Sequence, residues 1–120
     1  DQMGYVYYGN YAQYYEVGRV EALRSIGMSY RSMEERGIML PVLDFSVKYH
    51  RPALYDDLLT ITTKIVSLHG PRLLFRYLVM NEHEELIAEA ETTLVFVQKE
   101  SMKPTKVPED FVERLHNLQD

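Results

Sequence analysis

The first eleven residues, DQMGYVYYGNY, bring together groups suited to acyl chemistry: a carboxylate at Asp1, a glycine-containing loop and the start of a helix. Unpaired N–H groups and the positive end of the helix dipole make such a start a natural site for negative charge. In thioester hydrolysis this charge develops on the carbonyl oxygen, where fixed donors stabilise the transition state. A carboxylate on the other side of the carbonyl could attack it or activate a water. One loop could therefore supply both functions.

A central helix must position these groups. Asn10, followed by Gln13, predicts a capping box at its start, and Gly27 predicts its end. The small residues Gly18 and Ala22 on its inner face would let a sheet approach the helix backbone closely. The predicted inner face recurs at three- and four-residue steps: Tyr11, Tyr14, Tyr15, Gly18, Ala22 and Ile26.

The rest of the chain has strand patterns with a period of two. A short helical turn over residues 29–36, closed by Gly37, precedes them, and a last short helix follows Pro108. Because short polar turns separate the strands, the pattern predicts an antiparallel meander in an α+β fold whose sheet covers the first helix. The predicted strands are residues 43–50, 59–65, 73–79 and 88–96.

Composition narrows the class of protein. The formal net charge of -5 and pI near 5.3 argue against a nucleic-acid partner. The lack of cysteine removes disulfides and thiol nucleophiles and fits a reducing, cytoplasmic setting. No apolar run approaches the roughly 20 residues that span a bilayer. The four histidines lack metal-ligand spacing, so no metal site is predicted. Since the sequence begins with Asp and not Met, a longer natural chain is expected.

Three segments resemble the 4-hydroxybenzoyl-CoA thioesterase-like branch of the hotdog superfamily. They are the loop and helix entry with Asp1, Gly4, Val6, Tyr7, Asn10 and Tyr11, the segment YHRPALYDDL at 49–58, and MKPTKVP at 102–108. The resemblance implies one hotdog domain over residues 1–120, with a five-stranded antiparallel sheet wrapped around the long helix. It places the first strand upstream of residue 1 and implies homodimers, often paired into homotetramers.

The same resemblance implies residue roles. Asp1 would be the nucleophile or general base, and the backbone N–H of Tyr8 would polarise the carbonyl of an acyl- or aryl-CoA thioester. Many relatives carry His at the position of Tyr8, so no imidazole role is expected here. No cofactor is implied, because coenzyme A enters as part of the substrate. The implied substrate-binding residues are Tyr5, Gly9, Asn10, Tyr11 and Glu16.

Several alternatives stay open. Glu16 is a rival catalytic carboxylate, although its charged neighbours favour a supporting role. The tyrosines around the helix start could line an acyl pocket or form core and subunit interface. A non-catalytic acyl-CoA-binding protein would keep the same fold, whereas a hotdog dehydratase or hydratase is disfavoured because no histidine precedes His50. The candidates for contact with the CoA phosphates are Lys64, His69, Arg72 and Arg76.

Overall fold

The computed structural model describes the backbone of residues 8–54 and 57–119 and the side chains of residues 12–54 and 57–118. Among these, no helix combines the length and apolarity needed to cross a bilayer. The elements in chain order are α1 (Tyr8–Ser25), α2 (Tyr30–Glu35), β1 (Ile38–Met39), β2 (Val42–Tyr49), β3 (Thr60–His69), β4 (Arg72–Met80), β5 (Leu86–Val95), β6 (Val97–Gln98) and α3 (Glu109–Gln119).

Four antiparallel strands form the main sheet in the order β2-β5-β4-β3, and β1 pairs with β6 in a separate two-stranded sheet. The predicted hairpins joining β3 to β4 and β4 to β5 are confirmed. The predicted hairpin between β2 and β3 is wrong, since β2 pairs with β5 at the opposite edge. Ten residues connect β2 to β3, more than the two to five residues typical of a hairpin loop.

The alternating patterns define two faces of the sheet. The inner face, which carries α1, includes four fully buried side chains of β4 and their neighbours on β5. The outer face carries the intervening side chains of the same strands, which include Arg76, Glu89 and Glu91 but also Leu74 and Leu78, because successive residues of a strand point to opposite sides. The buried residues on the inner face of β4 and β5 are Leu73, Phe75, Tyr77, Val79, Ala88, Ala90, Thr92 and Leu94.

Helix α1 lies on the inner face along β3. Tyr15 and Leu23 are fully buried, whereas Tyr14, predicted to face inward, is 41% exposed. Leu23 was absent from the predicted stripe. The helix begins at Tyr8, so the predicted capping box is wrong and Asn10 lies inside the first turn. A polar pair at capping spacing is a weak signal, because an upstream residue can also begin the helix.

Turn and cap residues set the ends of the helices. Gly27 has φ +78 and ends α1, with Met28 N–H donating to the Leu23 carbonyl in a Schellman motif, as predicted from the glycine. Ser29 and Ser32 form a capping box at α2. The last helix follows Pro108, as predicted.

Helix α3 packs against the core through two of its four apolar side chains. Phe111 and Leu115 are buried, whereas Val112 and Leu118 are exposed. The Phe111 ring meets the Phe96 ring edge to face at 5.1 Å between centroids. These contacts hold α3 against the core.

Candidate active site

Helix α1 and strand β3 run in the same direction. Residues 14–21 of α1 line a groove with residues 59–61, and residues 22–25 line another with residues 63–65. The start of α1 therefore lies at the end of the sheet where β3 begins. The turn between β3 and β4 lies beyond the last turn of α1. An 18-residue helix is about 27 Å long, so these two ends of the fold are well separated.

The predicted amide donor lies in the first turn of α1. Tyr8, Gly9, Asn10 and Tyr11 form that turn, and the first N–H groups of a helix have no partner within it. Side chains at these four positions are not among those described. Asp1 and Tyr5 lie outside the described residues, so their predicted roles stay predictions. What the structure supplies is the helix terminus itself, on the inner face of the sheet.

Glu16, the rival carboxylate, lies two turns into α1 with an exposed side chain. Its neighbour Arg19 turns inward, and its Nη1 donates to the Tyr77 hydroxyl at 3.1 Å. The supporting role predicted for Glu16 remains the better interpretation.

Sequence reasoning missed a polar junction beneath α1. The Tyr77 hydroxyl accepts a hydrogen bond from Arg19 and another from Thr92 Oγ1 at 2.8 Å, and Tyr77 and Thr92 are fully buried. The spacing contained a signal, since Arg19 lies four residues from both Tyr15 and Leu23, which are fully buried. The predicted inner face of α1 does not include Arg19.

Electrostatics at the junction favour the charged guanidinium. Burial acts to lower the pKa of Arg19, but its hydrogen bonds with the phenols of Tyr77 and Tyr30 outweigh burial and raise it. Burial also raises the pKa of Tyr30, against the opposing effect of Arg19. The Tyr30 phenol therefore stays neutral and the Arg19 guanidinium stays charged near neutral pH.

The four cations predicted for CoA lie together, but not beside the start of α1. Lys64 pairs in register with Arg76, and His69 with Arg72, on neighbouring strands. Arg76 already forms an ion pair with Glu91 at 2.7 Å. All four side chains alternate with inward-facing residues, so they belong to the outer face. Within one chain the sheet separates them from α1.

An open groove of ≈ 470 Å³ adjoins this cluster at the turn between β3 and β4. His69 and Arg72 flank the turn that lines it, and Lys106 forms part of its wall. Lys106 is largely exposed, and its nearest carboxylate oxygen, on Glu109, is 3.8 Å away. The lining is mostly apolar: Leu68, Gly70, Pro71, Pro104, Thr105, Lys106, Val107 and Val112. Apolar walls with a cationic rim suit a flat base attached to phosphates.

Across residues 8–54 and 57–119, no three His, Asp or Glu side chains approach closely enough to hold a metal ion.

Comparison with known proteins identifies the family. The model of the thioesterase-like superfamily matches residues 1–115. The acyl-CoA thioester hydrolase YbgC of Escherichia coli is 35% identical over 93% of this chain and 84% of its own length. A DHNA-CoA thioesterase from Staphylococcus aureus superposes with a TM-score of 0.88 and 31% identity, over 99% of this chain and 82% of that one. This chain belongs to the thioesterase-like superfamily.

A further solved structure is a 4-hydroxybenzoyl-CoA thioesterase with one aspartate replaced by asparagine, in complex with 4-hydroxybenzoyl-CoA. It has a TM-score of 0.83 and 26% identity, over 96% of this chain and 89% of that one. The hotdog fold and family predicted from the sequence are confirmed. The predicted enzyme class, thioester hydrolase, agrees with the family.

Proposed function

We propose that this protein hydrolyses an acyl-CoA thioester to a free acid and coenzyme A. The observation that carries the proposal is the family match over residues 1–115, which includes both the loop with Asp1 and the helix whose first turn offers free amides. Relatives with this fold are named for acyl-CoA and aryl-CoA substrates. The favoured substrates are aryl or short- to medium-chain acyl-CoA esters, with coenzyme A present only as part of the substrate.

The start of α1 would stabilise the oxyanion. When a nucleophile adds to the thioester carbonyl, the oxygen becomes negative, and the Tyr8 amide with the helix dipole offsets that charge. One preorganised donor of this kind contributes about 2.7–4 kcal/mol to the transition state. Helix termini provide such donors without movement of a side chain.

Asp1 would act on the carbonyl carbon in one of two ways. As a general base it takes a proton from water, the resulting hydroxide adds to the carbon, the C–S bond breaks, and the thiolate regains a proton. As a nucleophile it forms a mixed anhydride as the thiolate leaves, and water then cleaves the anhydride. The structure of a 4-hydroxybenzoyl-CoA thioesterase with one aspartate replaced by asparagine and 4-hydroxybenzoyl-CoA bound agrees with a substrate that binds without that carboxylate.

The groove at the turn between β3 and β4 would hold the nucleotide end of coenzyme A. Its apolar wall suits adenine, while His69, Arg72 and Lys106 offer partners for phosphate. Arg76 is a weaker candidate because Glu91 already neutralises it. Lys64, beside Arg76 on the outer face, is more distant from the groove lining.

This arrangement favours a homo-oligomer, either a dimer or a dimer of dimers. Since the sheet separates the cation cluster from α1, a ligand that touches both needs groups from two copies. Strand β2 is an edge of the main sheet, and edge strands with apolar side chains readily pair with another chain. The exposed large apolar residues of β2 are Val42, Leu43, Phe45 and Tyr49.

Release of free thiol from a panel of aryl-, short- and medium-chain acyl-CoA esters tests the proposal. We expect turnover of at least one class, and we expect Asp1→Asn to lose at least about 100-fold in kcat while it still binds substrate. Tight binding without turnover by the wild-type protein would instead identify an acyl-CoA-binding protein. Equal rates in Asp1→Asn would remove Asp1 from the mechanism.

A single turnover in oxygen-18 water separates the two mechanisms. Direct attack would route label into the Asp1 carboxylate. General-base attack would place label only in the free acid.

A further inference from the structure

Tyr77 contacts α1 at two places. Its ring lies 4.6 Å from the Tyr15 ring between centroids, and its hydroxyl accepts the hydrogen bond from Arg19 at 3.1 Å. Tyr15 and Arg19 are one helical turn apart on the same side of α1. Thr92 on β5 donates to the same hydroxyl, so the contact is tied to two strands of the sheet. Tyr77 therefore contacts α1 at two residues that are one helical turn apart.

The polar half of this contact restricts α1 in a way that apolar packing does not. Apolar surfaces attract without direction and tolerate a small slide, whereas a hydrogen bond weakens steeply when its angle or length changes. Because the guanidinium and the hydroxyl belong to different elements, the bond fixes both the rotation of α1 and its position along the sheet.

We infer that Arg19 is a positioning residue, which holds α1 in one register over the sheet so that the amides of its first turn stay fixed against the substrate carbonyl. This inference rests on the proposed function. Tyr8 lies eleven residues from Arg19, about 16 Å along the helix axis, so Arg19 does not touch the reacting atoms. A helix transmits a displacement over this distance because its own hydrogen bonds keep it stiff.

The energetics of Arg19 fit a positioning role better than a stabilising one. Its guanidinium is partly buried, and its Nε has no hydrogen-bond partner in the part of the chain that the structure describes. A buried charge with incomplete partners adds little net stability, and its attested use is to select one register among similar packings. The rate of catalysis depends on the register of α1, since a misplacement of 1 Å can lower the rate by about 100-fold.

Three variants test the inference. Arg19→Met keeps the length of the side chain and its apolar packing, Tyr77→Phe removes only the hydroxyl, and Arg19→Lys keeps the charge. Val79→Ala is the matched control, because Val79 is a fully buried residue of the same strand whose loss destabilises the core without removing a hydrogen bond. All are assayed at a fixed interval below their own Tm.

We expect Arg19→Met and Tyr77→Phe each to lower kcat by about tenfold or more, with KM changed less than about threefold. The double variant should lose less than the two single losses combined, because both single variants remove the contact between Arg19 and Tyr77. Arg19→Lys should lower kcat less than Arg19→Met does, because lysine keeps the charge and a donor. Val79→Ala should retain kcat. The inference is wrong if the Arg19 and Tyr77 variants lose no more kcat than Val79→Ala.

Hydrogen exchange of α1 gives a readout independent of turnover. Arg19→Met should raise the exchange of peptides covering residues 8–15 above that in Val79→Ala. Absence of thiol release by the wild-type protein would refute the proposed function but leave this comparison valid. Unchanged exchange in an active enzyme would refute the positioning role alone.

Discussion

Gly18 of α1 lies so close to Thr63 of β3 that a Cβ atom on residue 18 would be 2.2 Å from the Thr63 Oγ1 atom and 3.3 Å from its Cβ. The contact lies near the middle of the helix. Here glycine is required for space and not for an unusual backbone angle.

Gly18→Ala is therefore expected to destabilise the protein. Alanine favours a helix over glycine by about 1 kcal/mol, but an atom forced to 2.2 Å requires α1 or β3 to move, and such overpacking costs about 1–3 kcal/mol. We expect a net loss of up to about 2 kcal/mol in the free energy of unfolding. Urea denaturation monitored by circular dichroism measures it.

Two variants of Thr63 supply the control. Thr63→Ala removes the obstructing Oγ1 atom, which is buried and has no hydrogen-bond partner within the described ranges, whereas Thr63→Val keeps the same shape. Gly18→Ala should be tolerated in the Thr63→Ala background and remain costly with Thr63→Val. An equal cost in both backgrounds would show that the 2.2 Å contact is not the cause.

The Gly18 contact was foreseeable because helical period and residue size are local properties. The same is true of the Gly27 cap and of the alternating burial along β4. Strand partners are not local. The alternating pattern of β2 predicted a strand, but it did not reveal that this strand pairs with β5 and not with β3.

In the candidate site, too, local features were predictable from the sequence and long-range contacts were not. The start of α1 was predicted from the chain within two residues. The predicted inner face of α1 does not include Arg19, although Arg19 lies four residues from both Tyr15 and Leu23. Its hydrogen bonds with Tyr77, 58 residues away, and with Tyr30 explain why a cation is accommodated there. The predicted CoA contacts lie around one turn, so the sequence could group them. Their distance from the start of α1 could not be predicted, because it depends on the direction in which β3 runs along α1.

Arg72→Ala is expected to raise KM for an acyl-CoA substrate by about tenfold with little change in kcat, because a phosphate contact remote from the carbonyl contributes equally to the ground and transition states. Arg76→Ala should have a smaller effect, since its charge is already paired with Glu91. Steady-state kinetics with the best substrate of the thiol-release panel measures both.

A thioester that lacks the nucleotide provides the internal control, because its KM should be the same in Arg72→Ala and the wild-type protein. Lys48→Ala is the matched variant, as Lys48 is an exposed cation of the same outer face on β2. If Lys48→Ala raises KM as much as Arg72→Ala, the positive charge of the outer face attracts the phosphates at long range. Direct contact between Arg72 and the nucleotide would then not explain the result.

Glu16→Gln is expected to keep kcat within about threefold of the wild type, because the Glu16 side chain is exposed and Arg19 is engaged with Tyr77. The same thiol-release assay that reports on Asp1→Asn measures it. A loss comparable to that of Asp1→Asn would transfer the catalytic role to Glu16 and reverse the assignment of the two carboxylates.

Arg36 and Asp110 join α2 to the start of α3 through two hydrogen bonds, each 3.0 Å, between the guanidinium and both carboxylate oxygens. The bonds from Arg36 hold the pKa of Asp110 below its ordinary value. A carboxyl with a lowered pKa in the folded state stabilises the protein above its unfolded pKa, about 3.9, and this contribution is lost as pH falls through the folded pKa. Asp110→Asn should therefore lower Tm by about 1–3 °C at neutral pH, and the difference should shrink to nothing in acid.

Thermal unfolding from pH 7 down to pH 2.5 measures this effect of Asp110, with Glu109→Gln as the matched control. Glu109 is also in the first turn of α3, so its carboxylate interacts with the same helix dipole. Its ion pair with Lys106 is 3.8 Å long and almost fully exposed. If Glu109→Gln lowers Tm at neutral pH as much as Asp110→Asn, the helix dipole accounts for the stabilisation. If Asp110→Asn lowers Tm more than Glu109→Gln does, and the difference disappears in acid, the ion pair with Arg36 accounts for the stabilisation. Added salt should then weaken the effect of Asp110→Asn only in part, because a bidentate pair keeps its hydrogen bonds when its charges are screened.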